Sequence, residues 1–300
     1  MLTTTSTTRR LLAVAAVAAG LLVVPLATTS ATHAASPLTR VTKLSASSSS
    51  TSKQIAAVCP AGQRAVGGGA EVLDGQGEVA IVQLEPRTTA TDDRFVAGAR
   101  EDDTGYDGAW RLRAFAVCAD PLPGEQRITT TSQPSSAAAQ SAVGLCPAGQ
   151  IQVGAGARIT GGAGQVRFTD LYDFFAPPNS LLILGAREDP DGFAGLWTLS
   201  AFTECAVADP ARFLSAGSRS AADSQDKSVT ASCPAGSRVR AAGVQVASVL
   251  GAPATTASLV LDKIAIDSSL SRVDYRVVED EDGTAADWSV LTYALCGPPS

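Results

Sequence analysis

The chain has 300 residues, 45% hydrophobic, 17% charged and 5% aromatic, with six cysteines, one histidine and a formal net charge of −6. The acidic balance argues against nucleic acid, which rewards clustered Lys and Arg, and against attachment to anionic membranes. A single histidine, His33, leaves no partner set for Ser-His-Asp or Cys-His catalysis once the N-terminus is removed.

Residues 1–35 read as an export signal. Arg9 and Arg10 supply a positive start, Leu11 to Leu26 is almost wholly apolar, and Thr32, His33 and Ala34 fit a small-x-Ala cleavage point. The apolar run of 16 residues is shorter than the roughly 20 that a spanning helix needs. Removing a signal that carries two arginines and no acid leaves 21 basic against 29 acidic residues, a net charge of −8. The expected location is extracellular, with no membrane contact after cleavage. Disulfides persist there, and all six cysteines lie beyond the signal.

Three tandem repeats follow, at 36–121, 122–208 and 209–300. Cys59, Cys146 and Cys233 stand 87 residues apart, and each opens the phrase Cys-Pro-Ala-Gly. Gly69, Gly156 and Gly243 lie ten residues further on. Trp110, Trp197 and Trp288 each stand eight residues before the second cysteine of the repeat (Cys118, Cys205, Cys296), and Glu101-Asp102, Glu188-Asp189 and Glu279-Asp280 start nine residues before the tryptophan. Self-similarity at a fixed period marks a repeat architecture.

Each repeat reads as β structure. In the first, strands are expected at 54–58, 64–72, 78–84 and 94–100, and at 110–118, where Trp110, Leu112, Ala114, Ala116 and Cys118 alternate with period two. No segment after the signal keeps a helical period. The fold class is therefore all-β: three tandem disulfide-stapled antiparallel units, small sandwiches in a row. The alternative is a single pseudo-threefold β-prism. Within-repeat pairing, Cys59–Cys118, Cys146–Cys205 and Cys233–Cys296, lets each unit fold alone and staples a modest core. A rival scheme joins Cys118–Cys146, Cys205–Cys233 and Cys59–Cys296 into a ring.

The repeated motifs are read first for local geometry. Cys-Pro-Ala-Gly is a tight turn, with Pro at its second position and Gly at its fourth. No second cysteine stands close enough for Cys-x-x-Cys redox chemistry, and no histidine completes a metal set. Gly67-Gly68-Gly69 and Gly154-Ala155-Gly156 lack the remaining phosphate-loop residues, so they are read as places of close backbone approach. The acidic segments 101–105, 188–192 and 279–283 are read as hairpin loops. Their Asp102, Asp189, Asp191, Asp280 and Asp282 are weak calcium candidates, without the full spacing of a calcium loop. The second repeat alone carries aromatics in Leu171-Tyr172-Asp173-Phe174-Phe175-Ala176-Pro177-Pro178-Asn179. Tyr172, Asp173, Phe174, Phe175 and Asn179 are the candidate ligand loop, suited to a sugar or a protein, unless they pack between repeats.

The phrase Cys-Pro-Ala-Gly, then four residues, Gly-x-Gly, and later a tryptophan ahead of the second cysteine resembles modules of secreted actinobacterial proteins. Similar modules occur on some collagen-like and phage-tail proteins. The resemblance spans the chain beyond the signal and implies export and a disulfide-stapled β unit, not a mechanism. At fold level alone, a threefold β array also resembles the β-prism of vitelline-membrane outer-layer proteins and some lectins. The functional expectation is a secreted, non-catalytic binding or structural protein without a cofactor, its partner an extracellular glycan or protein. A glycan- or cell-wall-binding lectin-like protein is the alternative, and a secreted hydrolase the remote one.

Overall fold

Six strands form in each repeat, in a computed structural model that describes residues 37–176, 179–248 and 257–299. The first repeat gives β1 (Thr39–Leu44), β2 (Ser52–Val58), β3 (Arg64–Leu73), β4 (Val79–Thr88), β5 (Asp93–Glu101) and β6 (Arg111–Ala119). The second gives β7 (Gln126–Thr131), β8 (Ala139–Leu145), β9 (Ile151–Thr160), β10 (Val166–Ala176), β11 (Asn179–Glu188) and β12 (Thr198–Ala206). The third gives β13 (Leu214–Arg219), β14 (Lys227–Ser232), β15 (Arg238–Ser248), β16 (Leu259–Ile266), β17 (Arg272–Glu279) and β18 (Trp288–Gly297). The alternating run before the second cysteine becomes β6, which is buried on both faces: Leu112, Ala114, Ala116, Phe115 and Val117 are no more than 2% exposed.

Within a repeat the first, sixth and third strands form one layer and the second, fifth and fourth another. The layers share one apolar core, to which β5 gives Phe95, Ala97 and Ala99 and β6 gives Leu112, Ala114 and Ala116. Disulfides close within each repeat, Cys59–Cys118, Cys146–Cys205 and Cys233–Cys296, with Cα separations of 5.7, 5.5 and 5.7 Å. The ring pairing is thus excluded.

The sheets nevertheless cross repeat boundaries. Their orders are β1-β6-β3-β16-β17-β14, β13-β18-β15-β10-β11-β8 and β2-β5-β4-β9-β12-β7. Every sheet joins a three-stranded layer of one repeat to the complementary layer of another, and the first repeat meets the third. The expectation of stapled two-layered units holds inside each repeat, whereas separate sandwiches in a row give way to the single threefold arrangement. The physical reason is edge strands. A three-plus-three sandwich exposes the unpaired edges of its third and fourth strands, and each neighbouring repeat covers them. The joins are short: Glu71↔Lys263 between β3 and β16, Gln83↔Arg158 and Leu84↔Ala157 between β4 and β9, and Asp170↔Gln245 and Leu171↔Val244 between β10 and β15. The two ends of the described chain meet, Leu38 just before β1 of the first sheet and Pro299 just after β18 of the second: the Leu38 amide donates to the Pro299 carbonyl at 3.0 Å.

Repeated glycines have two separate causes. At the joins, a Cβ on Gly69, Gly156 or Gly243 would lie 2.1, 2.5 or 2.5 Å from the carbonyl oxygen of Ile264, Leu84 or Leu171. Each carbonyl belongs to the neighbouring repeat, so this is the expected close backbone approach. In Cys-Pro-Ala-Gly the glycines Gly62, Gly149 and Gly236 have open space but φ of 86°, 83° and 85°. The turn is offset by one residue from the expected placing, since Gln63, Gln150 and Ser237 donate to the carbonyls of Pro60, Pro147 and Pro234. Gly therefore sits at the third turn position, where positive φ is needed.

Candidate functional site

The nine-residue spacing from glutamate to tryptophan is a buried hydrogen bond. Trp110, Trp197 and Trp288 are no more than 1% exposed. Their indole N–H groups donate to Glu101, Glu188 and Glu279 at 2.7, 2.9 and 3.2 Å. The following aspartates turn inward on their own loops: Oδ1 of Asp102, Asp189 and Asp280 accepts from the amide of Gly105, Gly192 and Gly283 at 3.1, 3.0 and 3.2 Å. The acidic segments are turns but not the expected hairpin loops: each joins strands of different sheets, β5 to β6, β11 to β12 and β17 to β18, and so crosses between the two layers of its repeat.

The three loops converge on Arg167 of β10. Its guanidinium pairs with Asp280 and lies 3.6 Å from Asp102 and 4.0 Å from Asp189, and all four side chains are no more than 5% exposed. One calcium candidate from each repeat thus meets an internal cation. Asp191 and Asp282 stay exposed at the loop tips. Asp189 is pushed up to about 6 by burial, against the pull of Arg167. Nearby, carboxylate oxygens of Glu78, Asp102 and Glu281 lie within 4.8 Å of one another. Burial, with Glu281 and Asp102 close by, pushes Glu78 up to about 7. These oxygens are of the hard kind that divalent cations take.

A second buried charge ties the first two repeats together. Arg127 of β7 donates to Glu204 of β12 and, at 3.1 Å, to the Ala65 carbonyl of β3. Glu204 is fully buried, and burial pushes its carboxyl up to about 7 in spite of Arg127.

The candidate ligand loop is largely internal where it is described. Tyr172 stacks on Tyr293 of the third repeat with ring centroids 5.5 Å apart. Asp173 is 9% exposed, and burial pushes its carboxyl upward. Both lie between repeats, Tyr172 half-buried and Asp173 buried, which is the packing alternative raised for them above. The side chains of Phe174, Phe175 and Asn179, and residues 177–178, lie outside the described residues.

Open grooves lie instead beside two of the short joins, where paired strands splay. The β3–β16 groove holds about 470 Å³ and is lined by Glu71, Asp74, Thr230, Lys263, Asp274 and Arg276, among others. The β4–β9 groove holds about 480 Å³ at the corresponding place in its sheet and is lined by Lys53, Gln54, Gln83, Arg87, Arg100 and Arg158, among others. Their electrostatics differ. In the first groove opposite charges neutralise one another: Lys263 and Arg113 lie on Glu71 at 3.2 and 2.6 Å, and Arg111 on Asp74 at 3.0 Å. In the second, among the described residues, four cationic side chains line the walls and no carboxylate does. Buried Glu85 takes Arg87 at 2.8 Å and Arg158 at 3.1 Å. Lys53 sits 4.3 Å above the Trp110 ring and donates to Ser48. Arg100 is exposed and makes no ion pair among the described residues. Reading the sequence missed these groups, which come from four strands of two repeats; the only local signal is that Lys227 stands where Lys53 does and covers Trp288 at 4.2 Å.

Among the described residues no helix is long and apolar enough to cross a membrane. Comparison with known proteins finds no family model that matches the chain and no curated protein similar to it.

Proposed function

We propose that this is an exported, non-catalytic binding protein that holds an extracellular glycan along the grooves beside its sheet joins. The observation that carries this reading is the pair of corresponding grooves, about 470 and 480 Å³, on a frame stapled by three disulfides. Both are open and lined by hydroxyls and charged groups, the second also by the amides of Gln54 and Gln83, which suits a polyhydroxylated chain better than a compact apolar ligand. Rigid strands hold these donors and acceptors in place, which limits the ordering cost of binding. The export signal and the disulfides support an extracellular setting.

Retention of the protein on insoluble polysaccharides and peptidoglycan, with reducing ends assayed in parallel, tests the reading. Retention without release of reducing ends is expected. Release of reducing ends by the purified protein would refute a non-catalytic role. Failure to be retained on any glycan would refute the binding role.

A further inference from the structure

We infer that the β4–β9 groove is selective for a carboxylated glycan, a polymer or oligomer of uronate sugars. This rests on the glycan-binding reading and goes beyond it in naming the ligand's charge and the groove that reads it. Two grooves occupy corresponding places in the fold, so the fold alone does not explain how they differ. One is lined by acids and bases paired with one another. The other presents Lys53, Arg87, Arg100 and Arg158; Arg87 and Arg158 share the single buried Glu85 and Arg100 has no ion pair among the described residues, which leaves a cationic surplus on a chain of net charge −6. A local cationic surplus on an acidic protein attracts anions into that groove and away from the rest of its surface.

The arrangement favours a carboxylate on a sugar chain over a bare polyanion. Arg100 keeps its planar fork free for bidentate pairing with a carboxylate. Arg158 is anchored on Glu85 through Nη1 at 3.1 Å, which presets its orientation. Gln54 donates to buried Gln83 at 2.6 Å, which fixes the exposed Gln54 amide as a hydroxyl partner between the charges. Beside them Arg87 and Arg94 border a further recess of about 140 Å³, which extends the groove along the sheet for successive sugar units.

The test measures affinity by titration calorimetry for oligogalacturonate, for neutral dextran oligomers of equal length, and for poly-glutamate. Proteins compared are the wild type, the double variant Arg100→Gln/Arg158→Gln, and the remote charge control Arg212→Ala. Oligogalacturonate is expected to bind the wild type, to bind Arg212→Ala equally, and to bind the double variant about tenfold more weakly. Unchanged thermal unfolding of the double variant shows that the loss is local. Equal affinity for dextran, equal affinity for poly-glutamate, unaltered binding by the double variant, or no binding of oligogalacturonate would each overturn the inference. The glycan-binding reading itself falls only if neutral polysaccharides and peptidoglycan are not retained either.

Discussion

Replacing Arg167 by methionine keeps most of the stem's packing and removes the one charge that the three acidic loops share. The side chain is 5% exposed, and Asp102, Asp189 and Asp280 around it are 4%, 5% and 2% exposed. Without the guanidinium, three carboxylates from three repeats face one another with little water to screen them. Breaking a buried pair by removing one partner costs about 3–5 kcal/mol, because the charges left behind are uncompensated. In a domain of this size each kcal/mol moves Tm by about 2–4 °C, so a loss of about 10 °C is expected at pH 7.5. The penalty should shrink at pH 5, since Asp189, already at about 6 beside Arg167, then takes up a proton. Millimolar calcium should restore part of the loss in the variant, because the freed carboxylates and Glu78 offer hard oxygen ligands. Urea denaturation at both pH values, with and without calcium, measures all three effects. A loss below about 1 kcal/mol at pH 7.5, or one as large at pH 5, would refute the reasoning.

Glu204 predicts a pH dependence of the wild type. Its carboxyl rises from an ordinary 4.5 to about 7 in the folded state, so between those values the folded chain holds a proton that the unfolded chain has lost. Stability therefore falls as pH rises through that window, by up to about 3 kcal/mol from this group, and Glu204→Gln should flatten the profile of Tm against pH. At the joins, Gly69→Ala should cost about 1–3 kcal/mol or more, because its Cβ would sit 2.1 Å from the Ile264 carbonyl. Gly62→Ala meets open space and should cost only about 1 kcal/mol of backbone strain, so equal losses in denaturant titrations would contradict the assignment of the two glycine classes. Trp110→Phe leaves Glu101 buried without its indole donor and should cost about 1–3 kcal/mol beyond lost packing; parity with a Trp110→Phe/Glu101→Gln double variant would show that the hydrogen bond carries nothing.

The repeat count, the disulfide pairing and five of the six strands of a repeat were legible because each leaves a linear trace: equal cysteine intervals, loop closure within a unit, period-two alternation; the first strand, Thr39–Leu44, is a polar edge without that alternation. The glutamate-to-tryptophan interval was equally visible, but its meaning was not. Only the crossing from β5 in one layer to β6 in the other, which brings Trp110 back over Glu101, shows that the carboxylate meets the indole. Alternation fixes which face of a strand is buried and says nothing about which strand lies beside it, so sheet sharing was hidden. A single residue pair, Glu71 with Lys263, marks the β3–β16 join. Arg167 stands where the other repeats carry Ala80 and Val260, an isolated departure with no motif around it. The aromatic run around Tyr172 looked like an exposed ligand surface because it breaks the repeat pattern. Packing of half-buried Tyr172 on Tyr293 of the third repeat accounts for that break equally well, and a linear sequence does not show that contact.

The hydrogen bond from Leu38 to Pro299 sets the two ends of the described chain side by side, so the point at which the chain opens matters little to the finished fold. Three repeats of equal connectivity close on themselves, and the gap between the last and first strands occupies the same kind of place as the connections at 120–125 and 207–213. Joining residue 299 to residue 37 through a short linker and opening the chain at either connection would keep every sheet order and every disulfide. A circularly permuted protein of that kind should fold to the same ring, with grooves, charge node and joins undisturbed. Deleting one repeat would instead strip partners from both remaining neighbours at once.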